Sequence, residues 1–273
     1  MAEKPRILLF DSGMGGLTVA RAVAKQLPHA HLVYAADNAA FPYGAWKEQA
    51  LVTRIVMVIG KLIETVKPDV VVIACNTAST IALAELRAAY KVPFVGTVPA
   101  IKPAAAQTKT GVIGVLATPG TVSREYTHAL IHTYAFHCKV LLHGAPRLAE
   151  IAEQKLRGHA VDLEELRAEV APVFRERDGK KTDVVVLGCT HYPLLTEDIA
   201  KVAPWAVSYI DPAPAIARRT ADIVEETRLN GADATVPEHG TVILTSARGS
   251  ESGTLAAYGV MGFSRHLVLD LPV

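Results

Sequence analysis

The sequence predicts an α/β fold of two pseudo-symmetric parallel-sheet domains, with an active site in the cleft between them. Three observations carry this expectation. Short apolar runs alternate with helix-length amphipathic segments almost from end to end. The apolar runs are continuous rather than alternating, as in a parallel sheet covered on both faces. Finally, Val70-Val71-Val72-Ile73-Ala74-Cys75-Asn76-Thr77 has a partner in Val184-Val185-Val186-Leu187-Gly188-Cys189-Thr190-His191. Each is an apolar strand followed by a small residue, a cysteine, polar residues and a helix candidate.

The first strand is Arg6 to Phe10, ending in Asp11-Ser12-Gly13, and Leu17 to Leu27 reads as the helix after it. His31 to Ala36 is a second strand, followed by an irregular stretch from Asp37 to Gly44. A helix from Trp46 to Val66 leads into the strand Asp69 to Ala74. Further strands are expected at Val92 to Gly96, Gly111 to Leu116, His137 to Leu142, Thr182 to Gly188 and Ala206 to Ile210. Phe10-Asp11-Ser12-Gly13 and Leu116-Ala117-Thr118-Pro119-Gly120 form a second, looser pair at a similar offset, which points to a duplicated unit. The two prolines of Thr97-Val98-Pro99-Ala100-Ile101-Lys102-Pro103 mark a domain crossing. A return near Pro204 to Tyr209 gives one domain of residues 1–97 plus 207–273 and another of 98–206.

The chain has 273 residues, 50% hydrophobic and 20% charged, an ordinary globular balance with ample material for a core. The net charge of +1 is spread along the chain, so no footprint for nucleic acid or an anionic membrane is expected. Lys180-Lys181 reads as a solvated loop. The longest apolar runs, Val70 to Cys75 and Val184 to Leu187, are too short to span a bilayer. Met1-Ala2-Glu3-Lys4-Pro5 runs straight into a strand, so no secretory signal is expected. Three cysteines do not read as a disulfide framework; free thiols in a reducing cytoplasm are expected.

Ligand sites of parallel sheets gather at the carboxyl ends of strands, where loops lead into helix N-termini. Cys75 and Cys189 are both expected there. The partial positive charge of a helix N-terminus favours a thiolate and suits a substrate carboxylate. A redox pair would show Cys-x-x-Cys spacing, and a structural zinc site would need four clustered ligands; neither is present. A hydrolase would leave one cysteine idle. Inversion at a stereocentre needs a base on one face and an acid on the other, which two thiols from pseudo-symmetric positions supply. Asp11 and His191 are the candidate helpers of Cys75 and Cys189. The commoner use of an Asp such as Asp11 is to cap the following helix, and His191 alone would read as a loop histidine. Cys138 reads as a small buried hydrophobe.

The segments Phe10-Asp11-Ser12-Gly13-Met14-Gly15-Gly16-Leu17-Thr18-Val19, Pro42-Tyr43-Gly44, Ala74-Cys75-Asn76-Thr77-Ala78, Val98-Pro99-Ala100-Ile101-Lys102-Pro103 and Gly188-Cys189-Thr190-His191-Tyr192-Pro193-Leu194 together resemble the glutamate racemases of the aspartate/glutamate racemase superfamily. The resemblance implies that Cys75 and Cys189 are the acid/base pair, with no pyridoxal phosphate, no metal and no other cofactor. It implies that Asp11 and His191 assist them, and that Glu153 matches a further carboxylate near the second thiol. Asp11, Ser12, Tyr43, Gly44, Asn76, Thr77, Thr190 and His191 fall on substrate-binding positions. The implied reaction interconverts L- and D-glutamate, with Cys75 serving the D- and Cys189 the L-enantiomer, and D-glutamate feeds peptidoglycan synthesis in the cytoplasm. A homodimer is the family expectation. The chain departs from the pattern near Glu153, where relatives often carry Cys-Pro upstream and paired Glu, and this chain has Ala145-Pro146 and Glu153-Gln154. It also lacks the N-terminal extension of relatives regulated by a peptidoglycan precursor, which weighs against such regulation. The alternatives are a racemase for aspartate or another amino acid, a one-thiol lyase or isomerase, and a non-catalytic regulatory relative of the kind that interacts with gyrase.

Overall fold

The structure, a computed structural model, describes residues 4–177, 179–227, 240–248, 251–271 and 273. Met1, Ala2 and Glu3, part of the segment read for a leader, lie outside the described residues. The chain divides into two compact units, Met1–Thr97 with Ala213–Val273 and Val98–Pro212. Its strands are β1 (Arg6–Asp11), β2 (His31–Ala36), β3 (Val70–Ile73), β4 (Phe94–Gly96), β5 (Val112–Ala117), β6 (Lys139–Gly144), β7 (Glu176–Arg177), β8 (Lys180–Lys181), β9 (Val184–Gly188), β10 (Ser208–Ile210), β11 (Thr241–Leu244) and β12 (Arg265–Val268).

The sheet of the first unit has the order β12-β11-β2-β1-β3-β4, and that of the second β10-β9-β5-β6. Both are parallel throughout. Read from the other edge, the second sheet runs β6-β5-β9-β10, the same winding as β2-β1-β3-β4. The central strand of each, β1 or β5, is flanked on one side by the strand that follows it and on the other by the strand that ends before a cysteine. The α/β class and parallel sheets are therefore as the apolar runs indicate.

The continuous apolar strands have a physical cause in each unit. Along β1 and β3, Leu8, Phe10, Val71 and Ile73 face Leu51, Ile55, Val58, Ile59 and Leu62 of helix Glu48–Val66 and Ala78, Ala82 and Leu86 of helix Asn76–Ala89. The alternate residues Ile7, Leu9, Val70 and Val72 are equally buried. Helices Leu17–Gln26 and Ala213–Glu226 pack on each other, against β2 and against β3 and β4 respectively. In the second unit Leu116, Val185 and Leu187 meet helices Leu148–Leu156, Leu163–Val170 and Thr196–Val202, while Ile113, Val115, Val184 and Val186 meet helix Ile101–Gln107. With both faces covered, the inner strands β1, β3, β5 and β9 are buried almost throughout and need no polar alternation.

Several elements differ from the sequence reading. Ser208–Ile210 pairs with Val184–Val186, so residues 207–212 stay with the second unit and the chain returns at Ala213. β6 begins at Lys139, because Lys139 is the residue in register with Val112; Cys138 falls in the preceding turn and is only half-buried. Lys180–Lys181 is the second strand of a hairpin turning at Gly179, where φ is +71°, and Lys181 lies over the Trp205 ring at 5.1 Å. β11 and β12, unmarked in the sequence, extend the first sheet beyond β2. No described helix is long and apolar enough to cross a membrane.

Candidate active site

In the first unit, β1 delivers Asp11 and β3 leads through Ala74 to Cys75. The Ala74 N–H donates to the Phe10 carbonyl at 2.8 Å, which keeps the two chain ends side by side past the last ladder pair. Cys75 is the N-cap residue of helix Asn76–Ala89, with φ −67° and ψ 120°, and its side chain makes no capping hydrogen bond. Its thiol is 4.0 Å from Ser12 Oγ. Asp11 does not cap the next helix, whose N-cap is Gly16. Its Oδ1 instead accepts from the Ser12 N–H at 2.6 Å, Ser12 Oγ at 3.2 Å and the Gly13 N–H at 3.4 Å. Gly16 has ordinary helical angles, but a Cβ there would stand 2.8 Å from Asp11 Oδ2 and 2.8 Å from the Tyr34 hydroxyl. The Tyr34 hydroxyl in turn donates to the Gly13 carbonyl at 2.7 Å, bracing the same loop.

Asn76 is buried, and neither its side-chain nitrogen nor its oxygen has a hydrogen-bond partner. Buried amides are ordinarily satisfied, and this one retains a donor and an acceptor that a ligand could use. Thr77, also buried, follows it on the first turn of the helix. Tyr43 is buried at the end of the irregular stretch, in a 3₁₀ turn Tyr43–Ala45, and Gly44 beside it is exposed.

Tyr43 is held by a network the sequence reading missed. Its hydroxyl donates to Asp37 Oδ2 at 2.6 Å. Arg54 grips the same carboxylate from helix Glu48–Val66, Nε to Oδ2 at 2.8 Å and Nη2 to Oδ1 at 2.6 Å, and Thr245 Oγ1 donates to Oδ1 at 2.7 Å. Burial raises the Tyr43 pKa well above the usual phenol value, and the charge and hydrogen bond of Asp37 and a charge on Cys75 push the same way. Tyr43 is thus a neutral donor. Burial opposes the Arg54 charge, but its hydrogen bonds to Asp37 and the carboxylate charge outweigh this and raise its pKa. A signal existed in the sequence: Arg54 stands within the apolar stripe of Leu51, Ile55 and Val58, a position that demands a buried counter-charge.

In the second unit β9 ends at Gly188, where a Cβ would stand 2.9 Å from the Leu116 carbonyl, so only glycine lets β5 lie this close. Cys189 follows, then Thr190 and His191, all buried. The expected helix N-terminus is not here: His191 leads into a 3₁₀ turn, Tyr192–Leu195, and the α-helix begins only at Thr196. Cys75 therefore has a full helix behind it and Cys189 does not. Cys189 has His191 instead, with Sγ to Nδ1 at 3.7 Å and His191 Nε2 to Glu153 Oε1 at 3.1 Å. Burial opposes a charge on this ring, yet the hydrogen bonds to Cys189 and Glu153, with their negative charges, raise the His191 pKa well above its ordinary value. The ring is thus favoured as imidazolium beside the thiol.

The structure brings Asp11, Ser12, Tyr43, Asn76 and Thr77 around Cys75, and Thr190, His191 and Glu153 around Cys189. By strand register the counterpart of Asp11 in the second sheet is Ala117, which carries no acid, and the next residue, Thr118, caps the short helix Pro119–Val122 with its hydroxyl. The carboxylate of this half comes instead from helix Leu148–Leu156. None of the three cysteines is in a disulfide, and among the described residues no cluster of His, Cys, Asp and Glu is suited to hold a metal.

The chain matches the Asp/Glu/hydantoin racemase family over residues 17–220. It is 52% identical to a glutamate racemase of Brucella anthropi over 248 residues, 90% of this chain and 88% of that one. Its identity to a glutamate racemase of Bartonella bacilliformis is 54%, over 84% and 85% of the two chains. Among solved structures, Escherichia coli glutamate racemase in complex with L-glutamate and the activator UDP-MurNAc-ala superposes with a TM-score of 0.89 at 40% identity, covering 98% of both chains. The RacE1 glutamate racemase of Bacillus anthracis gives 0.82 at 29% identity over the full length of both. With a family match across most of the chain and relatives more than half identical to it, the chain belongs to the Asp/Glu/hydantoin racemase family and is an amino-acid racemase.

Proposed function

We propose that this racemase interconverts L- and D-glutamate by proton transfer at Cα between two thiols, Cys75 and Cys189, without a cofactor. The observation that carries the reading is the topological equivalence of β3 and β9: each flanks the central strand of its sheet and is followed by a buried thiol with a proton-handling neighbour. With L-glutamate bound, the Cys189 thiolate takes the α-proton. The electron pair left on Cα is reprotonated on the opposite face by the Cys75 thiol. The products are D-glutamate, a Cys189 thiol and a Cys75 thiolate, and the reverse reaction starts from that state. The reading requires the two thiols to act on opposite faces of the substrate Cα.

His191 favours the thiolate of Cys189, and Glu153 orients His191. Asp11 is the proton partner of Cys75. The substrate carboxylates are held by Ser12, the orphaned amide of Asn76, Thr77 and Thr190, with the Tyr43 hydroxyl and the backbone of Gly44 lining the same site. Glutamate is preferred to aspartate on the names of the relatives. D-glutamate would then serve peptidoglycan synthesis, in the cytoplasm, from a homodimer. This chain and the activator-bound Escherichia coli protein match over 98% of each. Turnover with and without UDP-MurNAc-alanine therefore belongs in the same assay.

The test is incubation with L-glutamate in D2O without added cofactor, following Cα deuterium and optical rotation; no exchange and no loss of rotation would sink the reading. Cys75→Ser and Cys189→Ser should each lose most racemisation, and a single variant with wild-type turnover would refute the two-base mechanism. Aspartate turned over faster than glutamate would reassign the substrate.

A further inference from the structure

We propose that Arg157 is a positioning residue for the second thiol, holding the Glu153 carboxylate so that Glu153 in turn orients His191 against Cys189. The inference rests on the reading of Cys189 as a proton-transfer base. Four groups stand in line: Cys189 Sγ is 3.7 Å from His191 Nδ1, His191 Nε2 is 3.1 Å from Glu153 Oε1, and Arg157 Nη2 donates to Glu153 Oε2 at 2.6 Å. Each carboxylate oxygen thus has its own partner, the ring on the inner side and the guanidinium on the outer.

The spacing of Glu153 and Arg157, one helical turn, is common on helix surfaces, where such pairs contribute little. Arg147 with Glu150 is of that ordinary kind, with both side chains about half exposed. The Glu153 side chain is only 4% exposed and that of Arg157 is 35% exposed. The His191 ring meets one oxygen of this deeply buried carboxylate, and the other oxygen needs a partner of its own to stay in place. The other charges packed here are engaged elsewhere. Lys155 bonds Asp198, which also takes Lys201; Arg147 takes Glu150 and Glu165; and Tyr192, beside Cys189, has Glu169 as its acidic neighbour. Asp11 in the first unit needs no cation, because the loop amides of Ser12 and Gly13 hold it. The two halves therefore fix their carboxylates by different means.

A merely structural role is the rival. Arg157 occupies the C-cap position of helix Leu148–Leu156, where a cation is favoured by the helix dipole. That role would affect stability regardless of Glu153. The decisive measurement is the pH dependence of iodoacetamide alkylation of Cys189 in a Cys75→Ser, Cys138→Ser background, which reads the thiolate whether or not the protein racemises. Arg157→Gln should slow alkylation at neutral pH by roughly threefold to tenfold, because only the thiolate reacts and its nearest cation has been disturbed. Arg157→Lys should restore most of the rate. In a Glu153→Gln background, Arg157→Gln should change nothing further, and this neutral pair also guards against loss of folding in the single variant. An alkylation profile unchanged in Arg157→Gln, or the same slowing with Gln already at position 153, would overturn the proposal. If Cys189→Ser instead retained racemisation, the base assignment would fail while the alkylation result still reported on Arg157.

Discussion

Arg54→Met is the sharpest test of how the first half of the site is built. The substitution removes a guanidinium whose side chain is 5% exposed from a carboxylate that is fully buried, while the Met chain fills the space of the Arg stem. Asp37 loses the donors at 2.8 and 2.6 Å and keeps the hydroxyls of Tyr43 and Thr245. Two neutral hydroxyls do not offset a buried negative charge. Removing one partner of a buried ion pair costs about 3–5 kcal/mol. At about 2–4 °C per kcal/mol for a domain of this size, the thermal midpoint should fall by roughly 6–20 °C. Tyr43→Phe removes a single bond to the same carboxylate and should cost about 1.5–3 kcal/mol. The two effects should not add, since both act on Asp37. Asp37→Asn combined with Arg54→Met should recover part of the loss, because no charge is left buried. Thermal and urea unfolding followed by circular dichroism measure all of these, and racemisation of the folded fraction reports whether Tyr43 is still held. A midpoint for Arg54→Met within about 2 °C of wild type would refute the argument, since it would mean the pair contributes no more than an exposed one.

Other outcomes follow from the same geometry. Gly16→Ala should cost about 1–3 kcal/mol by overpacking and should lower activity further, because the new methyl meets Asp11 Oδ2 and the Tyr34 hydroxyl at 2.8 Å; wild-type turnover in this variant would show that the Asp11 loop tolerates displacement. The raised pKa of His191 has a defined consequence for stability. Native interactions favour the imidazolium, so their contribution is complete below the unfolded-state value of about 6.5 and is lost as pH rises through the higher folded-state value. The stability gap between wild type and His191→Asn should be widest in that acidic range and narrow as pH rises. Urea midpoints across pH would contradict this if the gap widened toward alkaline pH. Asn76→Ala should leave stability nearly unchanged or raise it slightly, since the amide has no partner to lose, and should raise KM for glutamate; an unchanged KM would remove Asn76 from the substrate site.

The sequence by itself determined the layout of the strands and the position of both thiols. A strand buried on both faces must be apolar at every position, so β1, β3, β5 and β9 announce themselves, and whatever follows them lies at a strand end. The shared winding of the two sheets was also foreshadowed, because Cys75 and Cys189 follow runs of the same kind. β11 and β12 were not legible: each is four residues long, and β12 is largely exposed along the sheet edge, so it carries no apolar signature. The role of Asp37 was hidden for a related reason. Its partners Tyr43, Arg54 and Thr245 come from a turn, a helix and the end of β11, up to 208 residues away, and only folding makes them neighbours. Glu153 was named only through the family resemblance, because it reaches His191 from helix Leu148–Leu156, 38 residues upstream, and no local pattern joins the two. Local pattern records which face of an element is buried. Which charges meet beneath that face is decided by tertiary packing, because a buried charge persists only where the fold supplies its counter-charge.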